Sequence, residues 1–167
     1  PKDLEVLFVP DFFLGTYVKE QTGRTNMELW KGYCPTHVMI QSRDIDRLRL
    51  ENPKAEFIMH PECGCLTKSI HLADRVLSTE GMMKYVRESP ANEFIVATET
   101  GVLHRMTQDN PQKKFIPASA QAVCSYMKMN TMEGIVESLE KLQYEVKVPA
   151  ELARRALLPI QRMVEIV

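Results

Sequence analysis

Short, continuous apolar segments alternate along the chain with segments whose apolar residues follow helical spacing. Residues 5–9, 55–59 and 93–97 are compact apolar runs, as expected of strands that are buried on both faces of a parallel sheet. Amphipathic stretches separate them, and further short strands are predicted at residues 27–30, 75–77 and 114–117. This alternation predicts an α/β fold built on parallel sheet.

Capping residues set the expected ends of several helices. Asp11 is suited to cap a helix over residues 12–21, and Gly23 is a typical C-terminal stop. Ser42 is the expected cap of a second helix at residues 43–51.

The last quarter of the chain is expected to be helical. Residues 131–142 carry apolar side chains close to helical spacing, and a final helix is predicted to begin at Pro149. Pro159 should kink that final helix, because proline removes a backbone donor and its ring crowds the preceding turn.

Composition favours a globular cytoplasmic protein. The 167 residues are 44% hydrophobic and 26% charged, and the net charge of −1 gives no reason to expect a nucleic-acid or anionic membrane surface. No apolar run is long enough for a membrane span. Four cysteines without a secretion signal favour core residues, metal ligands or nucleophiles over disulfides. Because Pro1 leads almost directly into a strand, we expect a truncated chain.

Polar side chains that could bind a ligand or take part in catalysis follow the predicted strands. They are Cys34, His37, His60, Glu62, Ser78, Thr79 and Glu99. Ligands of open parallel sheets gather at the carboxyl ends of the strands, so this distribution indicates a site at that edge.

Two short stretches of the chain each carry two side chains that could act together. Cys34 and His37 lie three residues apart in a predicted turn, which suits a thiolate ligand beside a hydrogen-bonding imidazole, or equally a buried cysteine beside a structural histidine. His60 and Glu62 leave a strand two residues apart, and an imidazole with a carboxylate can act together as acid and base.

Two further segments are ambiguous when taken alone. Ser78 and Thr79 open a helix after a strand, where hydroxyls and free N–H groups would hold a phosphate or carboxylate, although a plain N-cap is the simpler explanation. Cys124 precedes a methionine-rich stretch, which is either core packing or an apolar wall beside a cofactor.

The residues leave two other classes of protein open. A zinc-binding α/β module would use His60, Cys63, Cys65 and Cys34, although a Cys-x-Cys spacing is not a common zinc signature. A non-catalytic α/β domain would keep its cysteines in the core.

Six segments, in order along the chain, resemble the quinolinate synthase family. They are Leu7-Phe8-Val9-Pro10-Asp11 with Leu14-Gly15, Trp30 to His37, His60-Pro61-Glu62-Cys63, Ala73-Asp74 with Ser78-Thr79, Phe94 to Glu99, and Cys124 to Asn130 with Arg155 to Met163. Each motif is weak alone, but the ordered set is specific and covers nearly the whole chain.

The resemblance implies a fold of three similar α/β/α domains around a pseudo-threefold axis, each giving one cysteine to a [4Fe–4S] cluster. Cys34 and Cys124 match two of the ligand positions, and the 90 residues from 34 to 124 are about one such domain. The implied division is residues 1–34 from the second domain, 35–124 as the third domain, and 125–167 as C-terminal helices. The third ligand would come from outside this chain, and Cys63 and Cys65 are not expected to be ligands.

The resemblance also implies a transferase of NAD biosynthesis. The family condenses iminoaspartate, which L-aspartate oxidase supplies, with dihydroxyacetone phosphate to form quinolinate. His60 and Glu62 would then transfer protons, His37 would bind a substrate carboxylate, and Ser78 and Thr79 would hold the phosphate or a carboxylate. With two of three ligands, the chain alone is expected to be inactive.

Overall fold

The computed structural model describes residues 3–166. The chain forms two compact units, residues 1–124 and residues 125–167, each with its own internal contacts. The first unit contains all the strands of the described chain, and the second consists of helices.

All described strands pair in parallel. The strands are β1 (Val6–Phe8), β2 (Met27–Leu29), β3 (Glu56–Met59), β4 (Arg75–Val76), β5 (Glu93–Ala97) and β6 (Lys114–Pro117). β1 and β2 form a two-stranded sheet, and the other four form a sheet in the order β4-β3-β5-β6. The prediction of an α/β fold with parallel sheet is therefore confirmed.

Helices connect the strands of the first unit, as parallel pairing requires. They are α1 (Phe12–Thr22), α2 (Ser42–Glu51), α3 (Leu66–Ser69), α4 (Thr79–Glu88) and α5 (Gly101–Asp109). Single 3₁₀ turns occupy His37–Met39 and Ile70–Leu72.

Side chains from both faces of the four-stranded sheet are buried. Phe57, Met59 and Ile95 pack on one face, while Ile58 and Phe94 pack on the other. Because alternate residues of one strand point to opposite faces, burial on both sides requires the continuous apolar runs seen in the sequence.

Helix ends agree with the expected caps in one case and differ in another. Asp11 caps α1 by accepting the N–H of Leu14 at 2.8 Å, and Gly23 ends the helix with a φ of 63°. The prediction of Ser42 as the cap of α2 is wrong, because Gln41 holds the extended cap position and Ser42 is already the first helical residue.

The C-terminal unit contains two helices, α6 (Met132–Lys141) and α7 (Ala150–Val164), after a 3₁₀ turn at Met127–Met129. Thr131 caps α6 by accepting the N–H of Gly134 at 3.1 Å. Pro159 lies inside α7, which continues past it. Among the described helices, none is both long and apolar enough to cross a membrane.

Candidate functional site

Backbone hydrogen bonds bring the ends of neighbouring strands to one edge of the larger sheet. His60, which follows β3, donates its N–H to Ala97 at the end of β5 at 2.9 Å. Leu77, which follows β4, donates to Met59 at the end of β3 at 3.0 Å. The residues after β4, β3 and β5 therefore lie side by side at the carboxyl edge, where parallel sheets bind ligands.

Two histidines from separate loops stack at this edge. The rings of His37 and His60 lie 4.7 Å apart and are inclined by 9°. Nε2 of His37 lies 3.1 Å from the hydroxyl of Thr98, and Nδ1 of His60 accepts the N–H of Glu62 at 3.3 Å. Because Nδ1 of His60 is an acceptor, the neutral ring carries its proton on Nε2.

Glu62 completes a group of partly buried titratable side chains with these histidines. Its Oε2 lies 3.3 Å from Nδ1 of His37 and 4.0 Å from Nδ1 of His60. Nδ1 of His37 is buried and has no hydrogen-bond partner of good geometry, so the contact with Glu62 is a close approach and not a hydrogen bond.

Burial sets the protonation of this group. It lowers the pKa of His37, although the carboxylates of Asp11 and Glu99 oppose the effect. It lowers the pKa of His60 to about 4, and the neighbouring His37 adds to the shift. Burial, followed by the negative charge of Asp11, raises the pKa of Glu62. Both histidines are therefore neutral at pH 7, and their contacts with Glu62 are not salt bridges at that pH.

Cys34 lies beside the same group. The ligating atoms of Cys34, His37 and Glu62 are all within 4.8 Å of one another. The backbone N–H of Cys34 donates to Oδ2 of Asp11 at 3.0 Å. The structure thus brings Cys34 and His37, which follow β2, together with Glu62, which follows β3.

Cys124 connects to this edge through Glu99. Its N–H donates to Oε1 of Glu99 at 3.2 Å. Glu99 directly follows Thr98, whose hydroxyl contacts His37. The negative charge of Glu99 also raises the pKa of His37, against the larger effect of burial.

Cys63 and Cys65 belong to the hydrophobic core, where both side chains are fully buried. The thiol of Cys63 donates to the carbonyl of Ala97 at 3.1 Å, and burial raises its pKa far above that of an ordinary thiol. Metal ligation requires a thiolate, so this environment does not support the zinc site at His60, Cys63, Cys65 and Cys34.

Ser78 and Thr79 lie at the neighbouring strand end. The hydroxyl of Ser78 accepts the N–H of Gly81 at 3.1 Å and caps α4, of which Thr79 is the first residue. The structure therefore agrees with the simpler explanation, that Ser78 is an N-cap. The free N–H groups of the first turn remain available to an anion.

Sequence reasoning missed two contributions to the site. Asp11 was expected only as a helix cap, yet it also holds Cys34 and acts on the pKa values of His37 and Glu62. Thr98 was expected only as part of the segment from Phe94 to Glu99, yet its buried hydroxyl contacts His37. The available signal was position, because Asp11 lies shortly after β1 and Thr98 directly follows β5.

Comparison with known proteins decides the family. The family model for quinolinate synthetase A protein matches residues 1–165. The chain belongs to this quinolinate synthetase A protein family. The resemblance inferred from the ordered motifs is thereby confirmed.

Curated relatives named quinolinate synthase are similar over nearly the whole chain. The protein from Pyrobaculum aerophilum is 43% identical over 171 residues, which cover 99% of this chain and 55% of the relative. A protein from Thermus thermophilus is 42% identical over 99% of the chain and 54% of the relative. The protein from Geotalea uraniireducens is 45% identical over 97% of the chain and 52% of the relative. The chain therefore spans about half the length of these relatives.

Proposed function

We propose that this chain is part of a quinolinate synthase that condenses iminoaspartate with dihydroxyacetone phosphate, releasing phosphate and water to form quinolinate. The observation that carries the proposal is the convergence of Cys34, His37 and Glu62 within 4.8 Å at the carboxyl edge of a parallel sheet. Family membership supports the same conclusion.

The donor set fits a [4Fe–4S] cluster held by Cys34 and Cys124. Among the cysteines of the described chain, these two side chains are partly exposed, whereas Cys63 and Cys65 are buried. Thiolates are the usual ligands of iron–sulfur clusters. A third thiolate would come from outside residues 1–167, leaving one iron with an open position.

When bound, such a cluster supplies a Lewis acid that polarises a substrate carboxylate or hydroxyl. The chain supplies the proton transfers that condensation and dehydration require. His60 holds a proton on Nε2, because its Nδ1 accepts the N–H of Glu62. Glu62, whose pKa is raised by burial, is suited to exchange protons with substrate.

The other polar groups are suited to binding substrate. We assign His37 to a substrate carboxylate, with its ring oriented by the hydroxyl of Thr98 and by stacking on His60. We assign Ser78 and Thr79 to the phosphate or a carboxylate, since the start of α4 presents N–H groups at the strand end next to His60.

The proposed substrates also define the functional partners. Iminoaspartate is supplied by L-aspartate oxidase, and we place the enzyme in the cytoplasm, where a reduced cluster and free thiols are compatible with the redox conditions. Residues 1–167 alone, with two of the three ligands, should neither hold a stable cluster nor turn over.

The test uses the complete reading frame that encodes this chain, purified and reconstituted under anaerobic conditions. Quinolinate formed from iminoaspartate and dihydroxyacetone phosphate is measured for the wild type, His60→Gln and Glu62→Gln. Loss of one proton-transfer group should lower kcat by about 10²- to 10⁴-fold. Glu51→Gln, which changes an exposed carboxylate on α2, is the matched control.

Two results would contradict the proposal. One is the absence of quinolinate with a fully loaded wild-type protein. The other is stoichiometric zinc without sulfide in an anaerobic preparation, which would favour a zinc-binding module.

A further inference from the structure

Two acidic residues hold the two partly exposed cysteines, Cys34 and Cys124, in the same manner. At the first position, the carboxylate of Asp11 divides its oxygens between two donors. Oδ1 accepts the N–H of Leu14 in the first turn of α1 at 2.8 Å, and Oδ2 accepts the N–H of Cys34 at 3.0 Å. One side chain therefore joins a helix start to a cysteine 23 residues away.

Glu99, which lies 88 residues after Asp11 in the sequence, makes an equivalent arrangement. Its Oε2 accepts the N–H of Gly101, the first residue of α5, at 2.7 Å. Its Oε1 accepts the N–H of Cys124, 25 residues away, at 3.2 Å.

The backbone hydrogen bonds next to the two carboxylates are equivalent as well. Phe12, directly after Asp11, donates its N–H at 2.8 Å to the carbonyl of Gly32, two residues before Cys34. Thr100, directly after Glu99, donates at 2.9 Å to the carbonyl of Ala122, two residues before Cys124. A chance helix cap would not reproduce all three contacts at both cysteines.

Both carboxylates are deeply buried, with only 4% of Asp11 and 5% of Glu99 exposed. Burying a carboxylate is costly unless strong hydrogen bonds compensate, and bonds from N–H groups to a charged acceptor are among the strongest in proteins. A neutral serine or threonine would cap a helix without that cost. The charge of Asp11 therefore indicates a role beyond helix capping, and Glu99 does not hold the cap position of α5, which is Thr100.

We propose that Asp11 and Glu99 are positioning residues that fix the backbones of Cys34 and Cys124 as cluster ligands. This inference rests on the proposed function for its cluster, but the carboxylate contacts themselves are properties of the protein. Because each carboxylate engages the cysteine N–H, that N–H is held away from the sulfur. The paired negative charges also lie close to the cysteines, where they favour the oxidised, less negative state of a cluster.

The first experiment needs no cluster. Amide hydrogen exchange is measured on the apo form of the complete protein for the wild type, Asp11→Asn and Glu99→Gln. Asparagine is as good an N-cap as aspartate, so its oxygen can keep the helix bond while its NH₂ group cannot accept from the cysteine. Asp11→Asn should speed exchange at Cys34 about tenfold, matching the loss of one hydrogen bond to a charged group, without speeding exchange at Cys124.

Glu99→Gln should give the reciprocal result, with faster exchange at Cys124 and no change at Cys34. Thr131→Ala is the matched control, because it removes the cap of α6 without touching either carboxylate. Unchanged exchange at both cysteines in the two amide variants would overturn the proposal, whether or not the protein binds a cluster.

The second experiment reads the cluster directly. In the reconstituted protein, each amide variant should shift the midpoint potential to a more positive value, because loss of a negative charge favours the reduced cluster and the released N–H can bond to sulfur. Iron release to a chelator should become several-fold faster. Asp11→Glu and Glu99→Asp keep the charge and should restore the wild-type potential.

The outcomes distinguish a failure of the proposed function from a failure of the positioning role. A wild-type protein without a cluster would contradict the proposed function alone. A cluster whose potential and iron release are the same in the wild type and both amide variants, or are shifted equally in Thr131→Ala, would contradict the positioning role. Failure of the charge-retaining variants to restore the potential would do the same.

Discussion

At the scale of single residues, the site combines the neutral imidazoles of His37 and His60 with the carboxyl group of Glu62, whose raised pKa favours proton exchange. Burial is the main cause in each case, lowering the pKa of His37 and His60 and raising that of Glu62. The carboxylate of Asp11 adds to the upward shift of the Glu62 pKa and opposes the downward shifts of the two histidine pKa values. The protonation states therefore depend on how the loops pack and not on one ion pair.

Thr98 orients one of these imidazoles. Thr98→Val keeps the side-chain shape but removes the hydroxyl that lies 3.1 Å from Nε2 of His37. We expect kcat/KM to fall about tenfold, because the ring of His37 is no longer oriented, and the free energy of unfolding to fall by about 1 kcal/mol, because one buried hydrogen bond is lost. Steady-state kinetics with a parallel urea titration would check this. Wild-type kcat/KM in a folded variant would show that Thr98 does not orient His37.

His60 should make the apo-protein sensitive to acid. Its pKa is about 4 in the folded protein and near 6.5 when unfolded, so the unfolded chain binds more protons between these values. The free energy of unfolding should therefore fall as the pH drops from 6.5 towards 4, with no contribution from His60 above 6.5. His60→Gln should reduce that fall.

Urea unfolding of the apo-protein at about pH 7, 5.5 and 4.5 measures this effect, because these values span the range over which the unfolded chain binds the additional proton. His104→Gln, at an exposed position on α5, controls for the loss of a histidine as such. A wild-type pH dependence in His60→Gln would mean that His60 is not held neutral by the fold.

At the scale of elements, the site depends on close packing between two loops. The N–H of Gly64 donates to the carbonyl of His37 at 3.1 Å. A Cβ at position 64 would lie 2.9 Å from the carbonyl oxygen of Val38 and 3.0 Å from its Cα. The loop after β3 can therefore approach the 3₁₀ turn of His37 only because residue 64 has no side chain.

Gly64→Ala should separate these loops. Backbone atoms cannot rotate out of the way, so we expect a loss of about 1–3 kcal/mol in the free energy of unfolding. Activity should fall as well, because His37 moves with the displaced turn. Gly134→Ala, on exposed α6, is the matched control, since the nearest atom there is a side-chain hydroxyl at 3.3 Å. Equal stability of Gly64→Ala and the wild type by urea titration would show that the loops have room to adjust.

The sequence predicted the elements whose signals are local. The strand at residues 93–97 matches β5, because a continuous apolar run reflects burial on both faces, and the short strand at residues 114–117 matches the edge strand β6. The cap of α2 was misplaced by one residue, since serine at the first helical turn resembles an N-cap.

The site was predictable only in part. Edge positions after strands correctly suggested that His37, His60 and Glu62 would meet. The contact between Asp11 and Cys34 joins residues 23 positions apart, and no local spacing rule specifies such a pair. The core burial of Cys63 and Cys65 likewise depends on tertiary packing.

At the scale of the whole molecule, the chain covers about half the length of its quinolinate synthase relatives. It supplies two partly exposed cysteines, each held by a buried carboxylate, at an edge that also carries the histidine pair. The central claim is that Cys34 and Cys124 bind one iron–sulfur cluster.

Iron and acid-labile sulfide analysis after anaerobic reconstitution tests that claim most directly. In the complete protein, the wild type and Cys63→Ala should each hold about four iron and four sulfide per chain, whereas Cys34→Ser and Cys124→Ser should each lose most of both. Residues 1–167 alone should retain no stable cluster. Full iron and sulfide in either Cys34→Ser or Cys124→Ser, or a stable four-iron cluster on residues 1–167 alone, would contradict the account.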